Sequence, residues 1–487
     1  MVATTEGRVV VLEFNELSPS LMERFIRDGD LPNFERLYSE SLVFTTEAAE
    51  RPPYLEPWIQ WVTVHTGLNY RDHGIYALDE GHTLQAERTW DVVSAAGSPV
   101  LVWGSMSLGY RAPIRGIVVP DPWTTKLAPV PETLTSYFRF IQRHVMEHTG
   151  ERAGLTVRDY ARFIGFMLRH GLSLGTAASM VGQLVGERLG PSRWKRASGL
   201  DRLQFDAFRS CYRRVRPRLA TFFSNSTAHY QHFHWREMEP DKFKIKPSHA
   251  EMSTYRDTIL FGYRAMDDLV GRFLGLIDAD TTLVLCTALS QQPCLLYDDA
   301  GGKVLYRARD LAALLRFAGV SSHRCATPVM AEEFILTFET EQDASAAERG
   351  LRALSVAGQS ALLALRRGTR IHSGCKIFHP LPGDTRLSVD GTQSSAPFFD
   401  LFYQVEGTKS GMHHPDGIFW IRTPARTHAV ERERVPLAAV APTILRLLSL
   451  SCPSQMAEAH HMGVLLGVLR GCDVDQSRNL AKRVTAE

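Results

Sequence analysis

The chain is poor in cysteine, nearly balanced in charge, and without any long apolar run. Its seven cysteines in 487 residues are scattered, odd in number, and include no Cys-x-x-Cys pair. That excludes a disulfide framework and a structural zinc ribbon, and makes reduced thiols in the cytoplasm the expectation. A formal net charge of +2 gives no global reason to expect nucleic acid or a membrane surface as partner. The basic stretch "RSCYRRVRPR" (Arg209 to Arg218) is local and reads as a solvated helix face. No apolar segment reaches the roughly 18 residues needed to span a bilayer. The opening "MVATTEGRVVVLEF" lacks the charged start and apolar stretch of a secretory signal.

With 44% hydrophobic and 22% charged residues, the composition is that of a globular protein able to bury a large core. "RVVVLEF" (Arg8 to Phe14) reads as a short buried strand. A helix follows, with Ser18 at the N-cap, Pro19 at its first position and Gly29 near its stop. Polar Glu13, Asn15 and Glu16 fall at the carboxyl end of that strand, where open parallel sheets bind ligands.

Similar units recur in "PVLVWGS", "GIVVPDP", "RLATFFSNST", "TTLVLC" and "DGIFWIRTP". Helical patterns run over Tyr255 to Ile277 and Leu437 to Leu450. Strands alternating with helices predict an α/β fold, a doubly wound, mostly parallel sheet flanked by helices. The expected layout is a core in three parts, 1–130, 201–298 and 393–487. A helical cap insertion occupies 131–200 and a small α+β insertion 299–392.

Four stretches together resemble the alkaline phosphatase superfamily, in its type I phosphodiesterase/nucleotide pyrophosphatase branch. They are "VVVLEFNELSPSLMERFIRDGDLPNFERL", "HTGLNYRDHGIY", "YRAMDDLVGRFLGLIDADTTLVL", and "GMHHPDGIFWIRTP" with the later "APTILRLL". The resemblance implies hydrolysis or transfer at phosphate or sulfate. It also implies two metal ions, usually zinc, that activate a Thr or Ser nucleophile.

Position by position, this chain departs from that pattern. The family's first-strand aspartate falls on Asn15, with Glu13 or Glu16 able to compensate. The nucleophile falls near Pro57, which has no hydroxyl; Glu56 and Tyr54 lie within a slip of three residues. After "RLATFFSNST" the aspartate position is Ala228 beside His229, while the histidine is present as His232. The last family histidine is matched by His413, with His414 beside it. Where the family has Ser-Asp-His-Gly, this chain has Thr287-Ala288-Leu289-Ser290, and neither Ala nor Leu binds metal through its side chain. A standard two-zinc site is not expected.

The resulting expectation is a rebuilt site acting on a small organic or phosphorylated substrate. Glu13, Asn15, Glu56 and His229 are its catalytic candidates. Trp58, Ser290, Gln291 and His414 are its substrate-binding candidates, and His232 and His413 its metal ligands. The cofactor is one divalent metal ion, zinc first, or none. The alternative is a pseudoenzyme that keeps the pocket to bind a ligand or protein. For the histidines the bland reading is ordinary hydrogen-bonded side chains; for Trp58 and Trp61 it is core packing, against an aromatic wall for an organic substrate.

Overall fold

Val9 to Leu12 place four apolar side chains in a row, and a strand sends them alternately to opposite faces. Both faces are buried, which fixes strand Arg8–Phe14 at the centre of a nine-stranded sheet. The computed structural model describes residues 7–146, 155–190, 192–320, 323–329, 332–405 and 407–459. The central strand pairs in parallel with Leu219–Ser224 on one side and Thr281–Cys286 on the other. Outward from the first come Val100–Trp103 and Gly116–Val119, also parallel. Outward from the second comes Asp416–Arg422, antiparallel to Thr281–Cys286 and to the next strand, Leu42–Glu47. Two short strands, Ala429–Val430 and Val435–Pro436, complete that edge.

The alternation along the central strand sorts the helices. Val10, Leu12 and Phe14 share one core with Leu21 and Phe25, Phe34, Phe208, and Leu269 from four helices. Val9 and Val11 share the other with Trp61, Val64, Trp90 and Ile444. Helices on both faces of a mostly parallel sheet are the doubly wound arrangement expected from the sequence.

Local signals were met with two differences. Pro19 opens helix Pro19–Arg27, but Ser18 does not cap it through its side chain. Ser18 Oγ instead lies 3.0 Å from Ser20 Oγ, and its backbone N–H donates to Tyr263 Oη at 2.7 Å. The span Tyr255 to Ile277 belongs to two helices, His249–Tyr255 and Thr258–Leu276.

The 131–200 segment is helical, with Thr135–Met146, Val157–Arg169 and Leu174–Leu189. Its Tyr137, Phe163 and Phe166 join the sheet's own core, with Tyr137 5.2 Å from Trp103. The second insertion has a separate core running from Val304 to Phe402 around two four-stranded antiparallel sheets. Its last strand, Phe402–Gln404, returns to pair with Tyr306–Ala308, beyond the expected end at 392. The expected C-terminal part extends over 460–487, which lies outside the described residues. Among the described residues six cysteines carry free thiols, and no helix is long and apolar enough to cross a membrane.

One buried carboxyl in this scaffold titrates unusually. Asp201 accepts a hydrogen bond from Ser224 Oγ at 2.8 Å, and burial pushes its pKa from 3.8 up to about 7. Over that interval the folded protein keeps a proton that the unfolded chain releases, so this group's contribution to stability falls as pH rises towards 7. Asp201→Asn is expected to flatten the fall in melting temperature across that range and to melt above the wild type at about pH 8. Melting curves across pH test this; equal slopes for the two proteins would refute it.

Candidate functional site

The central strand ends at Phe14, and the chain turns through Asn15 into Glu16. Glu16 has φ +64°, a left-handed conformation that costs a non-glycine residue about 1 kcal/mol or more. The surroundings hold it there. Its carbonyl accepts from Gln231 Nε2 at 2.6 Å, and its backbone bridges to Ser290. The turn delivers a buried carboxylate to the carboxyl edge of the sheet.

Four segments converge on that carboxylate. Asn15 Nδ2 donates to Oε1 at 2.8 Å, and Gln291 Nε2 donates to Oε2. His232 Nε2 lies 3.2 Å and His413 Nε2 3.6 Å from the same Oε2. Among the described residues, Glu16, His232 and His413 form a group with metal-binding spacing, their ligand atoms all within 4.8 Å of one another. His232 Nδ1 faces the Gly411 carbonyl at 3.3 Å. A carbonyl oxygen only accepts, so Nδ1–H donates there, and Nε2 is the nitrogen presented to Glu16.

Electrostatics favour an anion flanked by neutral rings. Burial pushes His413 down to about 3 and His232 below its usual value. Glu16 is held at about 2, because the His232 and His413 charges and the hydrogen bonds from His232 and Gln291 outweigh the opposing effect of burial. His413 Nε2 is buried with no hydrogen-bond partner. Two imidazole nitrogens and one carboxylate oxygen within 4.8 Å of one another are ligand types that a divalent ion takes. A single divalent ion therefore fits these residues. Ala228, Ala288 and Leu289 are apolar and buried, so they add no side-chain donor to this group.

The other expected residues take different places. Glu56 is the N-cap residue of helix Pro57–Thr66, but its carboxylate turns away from the helix to lie 3.4 Å from His413 Nδ1. Burial, helped by the charge of Glu333, pushes its pKa up to about 8. Asn15 supports the site from behind: Trp61 Nε1 donates to its Oδ1 at 2.8 Å, and its Nδ2 also reaches Asn225 Oδ1 at 2.7 Å. Glu13 lies one layer deeper, paired with His65 Nε2 at 3.0 Å in the core. Trp61 and His65, one turn apart on the same helix, thus meet Asn15 and Glu13, two apart on the strand side.

Gln291 holds Glu16 and also donates to the Ala228 carbonyl at 3.0 Å. Ser290 and Gln291 pair with His414 and His413 in a two-stranded ribbon that begins just after Ala288 and Leu289. His414 is turned outward, its Nδ1 accepting from the Asp416 N–H at 3.2 Å. His229 is exposed, its ring packed 4.9 Å from Phe233. Trp58 is core, its Nε1 donating to the Tyr76 carbonyl at 2.9 Å.

Sequence reasoning did not find the contribution of the insertion. Tyr76 Oη lies 3.0 Å from His372 Nδ1, and His372 Nε2 lies 3.1 Å from Glu333 Oε2. Arg367 donates to Tyr54 Oη at 2.8 Å and Tyr70 Oη at 2.9 Å, and Arg370 pairs with Glu80. These side chains dock the insertion beside Glu56. No local sequence signal connects residues nearly 300 positions apart.

A groove of about 460 Å³ lies elsewhere, lined by Arg8, Pro99, Arg218, Asp278 and Thr281 at the amino ends of the strands. It is the wrong end of the sheet for a ligand site of this fold class, and the titratable cluster lies at the other.

No family model matches the chain, and no curated protein matches it. Among solved structures it is similar to a phosphonoacetate hydrolase from Sinorhizobium meliloti 1021, seen in complexes with phosphonoacetate and with phosphonoformate. In both comparisons the identity is 11%, coverage is 91% of this chain and 95% of the other, and the TM-score is 0.39.

The packing around His413 gives a test of the site's rigidity. A Cβ at Gly411 would lie 2.3 Å from the Gln231 carbonyl oxygen and 2.6 Å from Gln291 Oε1. Gly411→Ala is expected to cost about 1–3 kcal/mol of stability in urea denaturation, because the backbone cannot yield without moving both histidines. Unchanged stability would contradict this close approach.

Proposed function

We propose that the chain is a hydrolase or group-transfer enzyme of alkaline-phosphatase type, with one divalent cation where that superfamily uses two, acting on a small organic or phosphorylated molecule. The observation that carries this reading is the convergence of Glu16, His232 and His413, with His413 Nε2 buried and without a hydrogen-bond partner. When bound, such an ion supplies Lewis-acid polarisation of a substrate oxygen. The protein's own residues do the rest. His232 is oriented by the Gly411 carbonyl, Glu16 by Asn15 and Gln291, and Glu56 stands beside His413 as a group able to hold a proton at neutral pH. Glu13 and His229 have no such place, because one is sealed in the core and the other faces solvent.

After chelation and reconstitution, one equivalent of zinc per chain is expected. Glu16→Gln, His232→Ala and His413→Ala should each weaken zinc binding by about 100-fold, as loss of one ligand of three does. Two equivalents, or none, would refute the reading. The burial of Ala288 and Leu289 favours one competing view, a protein that binds without turnover. Stoichiometric zinc together with no hydrolysis of aryl phosphate mono- and diesters would support that view.

A further inference from the structure

Most of the large apolar side chains that the fold leaves in solvent belong to one part of it. Eight of the thirteen exposed ones among the described residues lie between Val157 and Val185, on helices Val157–Arg169 and Leu174–Leu189. Val157, Tyr160, Ile164 and Leu168 recur at three- and four-residue spacing, which lines them along one face of the first helix. On the second, Leu174 is 89% exposed and Val181 62%, with Leu184 and Val185 beside them. Every exposed position of that helix before Arg188 is Leu, Val, Ala or Gly. A helix packed on a protein ordinarily turns its polar side to water; this one, about 24 Å long, does the reverse.

Its orientation is fixed from beneath. The inward side carries Thr176, Ser179, Gln183 and Glu187, again at helical spacing. Ser179 Oγ accepts from Arg202 at 2.9 Å, Gln183 Nε2 donates to the Ser192 carbonyl at 2.7 Å, and Glu187 pairs with Arg196. At the N-cap, Ser173 Oγ donates to Asp206 at 2.9 Å. Rolling the helix to hide its apolar side would break these bonds and leave polar groups unpaired. The first helix is held by Phe163, Phe166 and Met167 in the sheet's core, with Phe163 stacked 3.9 Å from Phe140.

The charges beside these stripes have one sign at the surface. Arg158, Arg162, Arg169 and Arg188 are exposed and form no ion pair among the described residues. The two acids of these helices are engaged, Asp159 by Arg143 and Thr156, and Glu187 by Arg196. Apolar stripes flanked by arginines match the surface of a bilayer that contains anionic lipid. A second copy of the chain would bring two arginine-bearing surfaces together with no exposed acid on these helices to pair them. The described chain ends on the other face of the sheet, where Met456 packs in the core of Trp61, so residues 460–487 start on the side away from this surface.

We infer that the outward faces of helices Val157–Arg169 and Leu174–Leu189 dock on an anionic lipid bilayer, lying on it rather than crossing it. The near-balanced charge of the whole chain does not oppose this, because such attraction acts over about 10 Å and is set by the local arginines. No residue of the candidate cation site lies on these helices, so the inference stands apart from that site.

The test is flotation of the full chain with vesicles of phosphatidylcholine alone and of equal parts phosphatidylcholine and phosphatidylglycerol. Binding to the anionic vesicles is expected to be about tenfold or more the stronger, and to weaken as salt is raised. Val181→Ser with Val185→Ser should lower it by about tenfold or more, and Arg158→Gln with Arg162→Gln should remove most of the preference for anionic lipid. All four positions are exposed, so both variants should melt with the wild type. No flotation of the wild type, equal binding to the two vesicle types, or unchanged binding in either variant would overturn the inference. A dimer that Val181→Ser with Val185→Ser dissociates, without vesicle binding, would assign the face to a second copy and overturn it as well.

Discussion

The Glu16 carboxylate receives two hydrogen bonds and faces two imidazole nitrogens, and each contact comes from a different part of the chain. Asn15 belongs to the end of the first strand, Gln291 to the strand after Thr281–Cys286, His232 to the helix after Leu219–Ser224, and His413 to the segment before Asp416–Arg422. All four elements follow or precede neighbouring strands of the central sheet. The order of those strands brings the groups within reach, and the left-handed turn at Glu16 sets the carboxylate among them. A backbone conformation of that kind persists only where its surroundings over-determine it. Here the Gln231 contact to the Glu16 carbonyl and the bridge to Ser290 do so.

The sheet was legible because buried parallel strands carry continuous apolar runs, and each run named from the sequence became a strand. Helix positions were legible where proline and glycine punctuate them, as at Pro19 and Gly29. Capping was less so. Ser18 has the right side chain at the right place, but Tyr263 takes its N–H and Ser20 its hydroxyl, contacts 245 and 2 residues away. Tertiary packing decided the outcome.

Within the site, His232 and His413 were visible as histidines at strand ends. Glu16 stood in view as a compensating group, but the position-by-position reading centred the first-strand ligand on Asn15. A single left-handed residue changes where the next side chain points, and nothing in "EFNELS" announces that turn. His229, the catalytic candidate, stands three residues before the metal-ligand candidate His232 on the same helix. Three residues advance the helix by about 300°, and that offset is enough to put one ring in the pocket and the other in solvent. Glu333 and His372 were illegible for a different reason: their place depends on how the insertion folds back on the core.

Ala288 and Leu289 bear on how many cations the site can hold. Both are fully buried and belong to the same core cluster as Trp58, Phe419 and Cys286. Neither side chain offers a donor atom, so neither can hold a second ion. Ala228 is buried as well, and its carbonyl accepts from Gln291. Among the described residues, Glu16, His232 and His413 are the group whose ligand atoms lie within 4.8 Å of one another, enough donors for one ion and too few for two.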